Sequence, residues 1–174
     1  MPAPLRCFVA LWPDNAAREH IARIAAAQHA HWPAARRMRT ENLHLTLAFI
    51  GTQPVDAVQR LQPRIDTMAC PAFDWTLDRL GVFRSARVLW IGGPDCRPLQ
   101  DLADAVRAAL DVQRVAYDSK RFVPHITLLR DLPRDAQPDL DIGATVHWPV
   151  RGPRLVVSTM TPVGVRYRDA AQVL

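Results

Sequence analysis

His44-Leu45-Thr46-Leu47 recurs 81 residues further on as His125-Ile126-Thr127-Leu128. The chain has 174 residues, so the copies lie about half a chain apart. Each sits in an apolar run. The first reads as a strand over Leu43–Ile50, ended by Gly51, and the second as a strand over Phe122–Leu129. In a strand, residues i and i+2 share a face. His44 and Thr46 therefore point one way while Leu45 and Leu47 point the other, and the same holds for His125, Thr127, Ile126 and Leu128. Each strand can bury its apolar side and offer an imidazole and a hydroxyl to a shared cleft.

The rest of the chain supplies scaffolding for two such strands. Cys7–Leu11 reads as a buried strand. A helix follows, capped by Asp14, with Ala17, Ile21, Ile24 and Ala25 at helical spacing and a stop at Trp32-Pro33. Arg36, Arg37 and Arg39 read as a basic loop. A second helix is expected over Asp56–Met68, shortened or kinked by Pro63. Phe73, Trp75 and Leu77 alternate as a half-buried strand, and Val88–Ile91 forms another before Gly92-Gly93-Pro94. Pro98–Leu110 carries a helical stripe of Leu99, Leu102, Val106 and Leu110. Three more strands are expected over 142–148, 153–160 and 163–167. Many strands with about three helices and short connections point to an α+β fold with antiparallel sheet, as one domain over residues 1–174.

Composition narrows the function classes. Hydrophobic residues make up 49% and charged residues 22%, which excludes wholesale disorder. The net charge is +5, and most of the excess lies in residues 1–87, with 11 basic against 7 acidic side chains. All basic residues but Lys120 are arginine, which fits genome composition and also suits phosphate. Cys7, Cys70 and Cys96 form neither a C-x-x-C nor an even set, so a reduced, cytoplasmic compartment is expected. No apolar run approaches the roughly 20 residues of a membrane span, and Met1–Phe8 carries no secretory h-region. His29 and His31 lack further ligands nearby and read as surface residues. No G-x-x-x-x-G-K-[ST] loop surrounds Gly92-Gly93. No metal, no cofactor and no partner subunit is expected.

Two imidazoles flanking one atom suit an in-line displacement. One acts as general base toward the nucleophile and the other as general acid toward the leaving oxygen. The threonine hydroxyls can donate to non-bridging oxygens. Neither histidine has a carboxylate beside it in sequence, and a phosphodiester is the substrate that needs this set without a metal. Near-symmetric motifs leave open which histidine is acid and which is base.

The sequence resembles the two-histidine phosphoesterases, specifically the RNA 2′,3′-cyclic phosphodiesterases, also called 2′-5′ RNA ligase-like proteins. The resemblance runs through Arg6–Pro13, Asn42–Gly51, Leu89–Gly92, Arg121–Arg130 and Leu155–Tyr167. It implies a bilobal α+β fold, with two pseudo-symmetric lobes of antiparallel sheet around a central cleft and helices outside. It implies metal-independent hydrolysis of a 2′,3′-cyclic phosphate, on RNA ends or cyclic nucleotides, to a 2′-phosphate. His44 matches the family's proton donor, serving O3′, and His125 its proton acceptor. Arg130 matches a family position that contacts the substrate phosphate, and joins Thr46 and Thr127 as candidate phosphate-binding residues. Val157 stands before Ser158 where relatives often carry an acid, which leaves no carboxylate there.

Other residues carry less. Strict alternation places Arg130 on the face opposite His125, so it reaches the cleft only where the strand ends, twists or bulges. Arg121 and Lys120 fit a cleft mouth or a solvated loop equally well. Phe8 and Trp90 can stack a base or fill core, and Phe49 is assigned to the core. Two rival functions share these residues: a reversible 2′-5′ RNA ligase, and a non-catalytic RNA-binding module resting on the arginine-rich half.

Overall fold

A computed structural model describes residues 2–174. Ten strands and three helices follow one another as β1 (Leu5–Leu11), α1 (Asn15–His31), β2 (Arg36–Arg37), β3 (Leu45–Gln53), α2 (Val55–Asp66), β4 (Phe73–Leu77), β5 (Arg79–Phe83), β6 (Val88–Gly92), α3 (Arg97–Val112), β7 (Ile126–Arg130), β8 (Val146–Val150), β9 (Arg154–Thr161) and β10 (Gly164–Asp169). Eight strands form an open antiparallel sheet in the order β10-β9-β1-β3-β7-β6-β5, with β2 also on β7, and β4 and β8 form a separate ribbon. The α+β expectation holds.

The sheet divides at its middle. β3 and β7 share one ladder pair, Leu45 with Ile126, whereas β1 runs along β3 from Leu5 to Leu11. Two half-sheets thus hinge on the second residue of each motif, which is the bilobal arrangement expected.

Burial fixes which way the motifs face. Leu45, Leu47, Ile126 and Leu128 are at most 2% exposed and belong to the main core. Each such side chain contributes about 1.5–3 kcal/mol by leaving water. A one-residue slip would drive the histidines and threonines into that core instead. Behind the sheet, α1 packs on β7 and β8, α2 on β9 and β1, and α3 on β3. Asp14 caps α1 by accepting from the Ala17 N–H at 2.8 Å. The opposite face carries a small separate cluster of Phe8, Ala10 and Val156, flanked by Trp12 and Tyr167.

Several boundaries differ from the sequence reading. Arg36-Arg37 is a short strand on β7 rather than a loop. Arg79–Phe83, missed in the sequence, pairs with β6 along its whole length. Gly51 does not end β3; it sits inside the strand at φ +84°, next to a bulge at Ile50. The motif strands begin at Leu45 and Ile126, so each histidine stands one residue before its strand.

Candidate active site

Both histidines are held in the same way. The Nδ1 of His44 lies 2.7 Å from the carbonyl of Asn42, and that of His125 lies 2.6 Å from the carbonyl of Val123. A carbonyl only accepts, so each Nδ1 carries the proton and each Nε2 is left to face the cleft. One edge-on aromatic ring backs each imidazole. Tyr167 stands at 86° to His44 with centroids 5.1 Å apart, and Phe83 at 86° to His125 at 4.8 Å. Phe8 and Trp12 further flank His44, and Trp90 flanks His125.

The Leu45–Ile126 pair places the two motifs against each other. Antiparallel pairing at this one contact puts His44 and Thr127 toward one side of it and Thr46 and His125 toward the other. The two histidines are near enough for the charge of His125 to act on His44. The Thr46 hydroxyl lies 3.1 Å from Nε2 of His44, to which it can donate. No matching bond joins His125 to Thr127 among the described residues.

The bulges decide what comes next along each strand. On β7, Thr127 pairs with Trp90 and Leu129 with Leu89, so Leu128 is an extra residue. On β3, Thr46 pairs with Ala10 and Ala48 with Val9, so Leu47 is the extra one. The fourth motif residue is bulged both times. Leu128 and Leu129 both turn into the core, as do Leu47 and Ala48. Alternation then resumes one step out of phase, and Arg130 lands on the histidine face. The condition set from the sequence is met by a bulge. Phe49 is moved by the same device, and its assignment to the core is overturned: it is 36% exposed, and the Arg6 guanidinium lies 4.9 Å from its ring centroid.

Arg130 acts on both imidazoles electrostatically. Burial pulls the pKa of His44 down to about 4, and the charges of Arg130 and His125 push the same way. His125 is also lowered from the usual histidine range, first by burial and then by Arg130. Both imidazoles are neutral in the empty cleft at pH 7.

Two cavities open beside this centre. One of about 320 Å³ is lined by Thr46, Phe49, Phe83, Phe122 and His125 together with the charged residues Arg107, Asp118, Lys120 and Arg121. The other, of about 470 Å³, is lined by Arg130, Asn42 and Tyr167 together with further arginines. Of the remaining sequence candidates, Phe8 is only 4% exposed and its ring packs on His44. Trp90 lies over Gly81, where an added Cβ would come within 2.1 Å of the indole, and stands 6.2 Å from His125. Arg121 borders the first cavity. Phe83 escaped notice because its strand was not recognised; the alternation of Leu80, Val82 and their neighbours was the available signal. Asn42 is a second omission. It is 5% exposed, its carbonyl holds His44, and its amide donates to the Val165 carbonyl at 3.0 Å. Among the described residues no three His, Cys, Asp or Glu gather as a metal site, and no helix is long and apolar enough to cross a membrane.

Comparison with known proteins places this geometry in context. Residues 12–152 match the model of the 2′-5′ RNA ligase superfamily. The RNA 2′,3′-cyclic phosphodiesterase of Escherichia coli K12 is 35% identical over 134 residues, covering 75% of this chain and 74% of the relative. The protein of the same name from Archaeoglobus fulgidus is 29% identical over 174 residues, covering 95% and 97%. The crystal structure of E. coli LigT complexed with 3′-AMP superposes with a TM-score of 0.85 at 30% identity, covering 95% of each chain.

Proposed function

Starting from a chain that belongs to the 2′-5′ RNA ligase superfamily, we propose that this protein hydrolyses 2′,3′-cyclic phosphates at RNA or nucleotide ends to 2′-phosphates, without a metal. The observation that carries the reading is the mirrored pair of imidazoles, each with Nδ1 fixed on a backbone carbonyl, and with Nε2 of His44 meeting only the exchangeable hydroxyl of Thr46.

In this reading the cyclic phosphate sits between the two motifs, with its non-bridging oxygens against Thr46, Thr127 and Arg130. Nε2 of His125 removes a proton from a water molecule, which attacks phosphorus opposite O3′. Nε2 of His44 gives its proton to O3′, the P–O3′ bond breaks, and the phosphate stays on O2′. One proton is taken up and one delivered, so the pair is reset by proton exchange with solvent. The assignment of acid and base follows the family resemblance.

The resting charge state fits substrate-driven activation. Burial, and after it the charge of Arg130, depress the proton affinity of both imidazoles while the cleft is empty. An entering phosphate anion opposes the charge of Arg130 and favours a proton on the adjacent histidine. Binding thus arms His44 as an acid. The cavity of Phe49, Phe83 and Phe122 offers flat apolar walls to the terminal base. Exchanging His44 or His125 for Ala tests the reading. Each change is expected to lower kcat on a 2′,3′-cyclic nucleotide by about 10²–10⁴-fold with the thermal melt retained. Full activity in either folded variant would sink it.

A further inference from the structure

The second cavity beside the reaction centre is lined by Arg6, Arg36, Arg37, Arg39 and Arg130, and no carboxylate is among its lining residues. At about 470 Å³ it falls within the range of small-ligand sites, roughly 300–1,000 Å³. Among the described residues, five of the sixteen arginines outside the cavity pair with an aspartate: Arg60 with Asp56, Arg79 with Asp78, Arg87 with Asp131, Arg97 with Asp101 and Arg154 with Asp169. Of the five in the cavity, Arg36 alone among the described residues has such a partner, Asp131, which it shares with Arg87; what sets the cavity apart is that it gathers five guanidinium groups.

The backbone itself brings like charges together. Arg36 stands directly opposite Arg130 in the β2–β7 ladder. Directly opposed residues share a face, and a like-charged pair there is destabilising. The arrangement becomes favourable once an anion with several phosphates lies between the guanidinium groups, whose planar forks match phosphate oxygens. Arg39 is held in place from the far side, donating to the Val163 carbonyl at the tip of the β9–β10 hairpin. That hairpin, with Val165 tied to Asn42, walls the cavity.

Arg130 belongs to both places. Its charge acts on both histidines and its side chain lines the arginine cavity, so the two sites are continuous. The other cavity has Phe49, Phe83 and Phe122 in its walls, and its cations Arg107, Lys120 and Arg121 share the lining with the carboxylate of Asp118. A single strand crossing the centre therefore meets flat apolar walls on one side and a cationic trough on the other. We infer that the cavity of Arg6, Arg36, Arg37, Arg39 and Arg130 binds the phosphodiesters upstream of the cyclic end, so that the protein selects RNA strands over cyclic mononucleotides.

This inference rests on the cyclic phosphodiesterase reading, and the test separates the two. The kcat/KM of a hexanucleotide ending in a 2′,3′-cyclic phosphate is compared with that of the cyclic mononucleotide in low salt. A preference of about tenfold or more is expected for the unaltered protein, and most of it is lost in the double variant Arg36→Gln, Arg39→Gln, since two phosphate contacts disappear. Arg36→Lys with Arg39→Lys keeps the charges and retains the salt sensitivity of binding. Binding of a fluorescent hexanucleotide against salt gives an independent reading. The slope of log affinity against log salt falls by about 1–1.5 in the Gln variant, at about 0.7 per phosphate on single strands. Equal kcat/KM on both substrates, or a preference and slope untouched by the Gln pair, overturns the inference. If neither substrate is turned over, the phosphodiesterase reading fails, and the salt slope alone then decides the arginine cavity.

Discussion

β3 and β7 carry the same motif, the same carbonyl-anchored imidazole and the same bulge at the fourth residue, yet they deliver different side chains beyond it. On β3 the out-of-phase residue is Phe49, half turned to solvent beneath Arg6. On β7 it is Arg130, whose charge acts on both histidines. The aromatic support differs too. His44 is wedged among Phe8, Trp12 and Tyr167, whereas His125 meets Phe83 and Trp90. Symmetry sets up two matched imidazoles, and asymmetry gives the cleft three phenylalanines on one side and five arginines on the other. A cyclic nucleotide is itself two-sided, with a base at one end and a phosphate at the other.

The sharpest way to break the symmetry is to remove the need for an acid. His44→Ala and His125→Ala should cost similar factors, about 10²–10⁴, on a ribose ester. With a nitrophenyl phosphodiester, whose leaving group departs unprotonated, the His44 variant should recover most of the loss and the His125 variant should not. Recovery by the His125 variant instead would exchange the two roles.

The positions beyond the bulges provide the next contrast. Arg130→Ala should lower kcat/KM by about 10–100-fold, the scale of a charge-assisted contact of about 1.5–3 kcal/mol. It should also raise the proton affinity of both histidines, because a depressing charge is gone. Phe49→Ala should raise KM by a smaller factor and leave the pH profile in place. Equal pH shifts in both variants would contradict the electrostatic part of the account.

The pH dependence follows from the same shifts. The proposed mechanism needs one imidazolium and one neutral imidazole. In the free protein both pKa values lie below the usual 6.5, that of His44 near 4. Above the higher of the two, both rings are neutral and the armed fraction falls about tenfold per pH unit. The kcat/KM optimum should therefore lie on the acid side of pH 6.5 and decline toward alkaline pH. The kcat profile reports the complex, where bound phosphate raises both values, and should extend to higher pH. A kcat/KM optimum well above pH 7 would show that the histidines are not depressed.

The smallest effect is structural. Gly81→Ala would push a Cβ against the Trp90 indole and should cost about 1–3 kcal/mol as overpacking, visible as a lower Tm.

Much of this was readable beforehand because it depends on local rules. Apolar residues at Leu45, Leu47, Ile126 and Leu128 dictate the facing of both motifs, and Asp14 caps its helix as its side chain requires. What escaped depends on tertiary pairing. A bulge is a relation between two strands, so nothing within Leu47-Ala48-Phe49 or Leu128-Leu129-Arg130 announces the change of phase that exposes Phe49 and turns Arg130 inward. Arg36-Arg37 has no strand signature and becomes a strand only because β7 leaves that edge open where β3 diverges. Arg79–Phe83 is short, with a glycine at its centre whose reason is the Trp90 ring from the neighbouring strand.

The most direct test of the central claim is hydrolysis of a 2′,3′-cyclic nucleotide in the presence of EDTA, with the product phosphate assigned by phosphorus NMR. Two histidines dividing the proton work, with His44 serving O3′, predict undiminished turnover and a 2′-phosphate. Activity abolished by EDTA and restored by a divalent cation, or a 3′-phosphate product, would contradict the account.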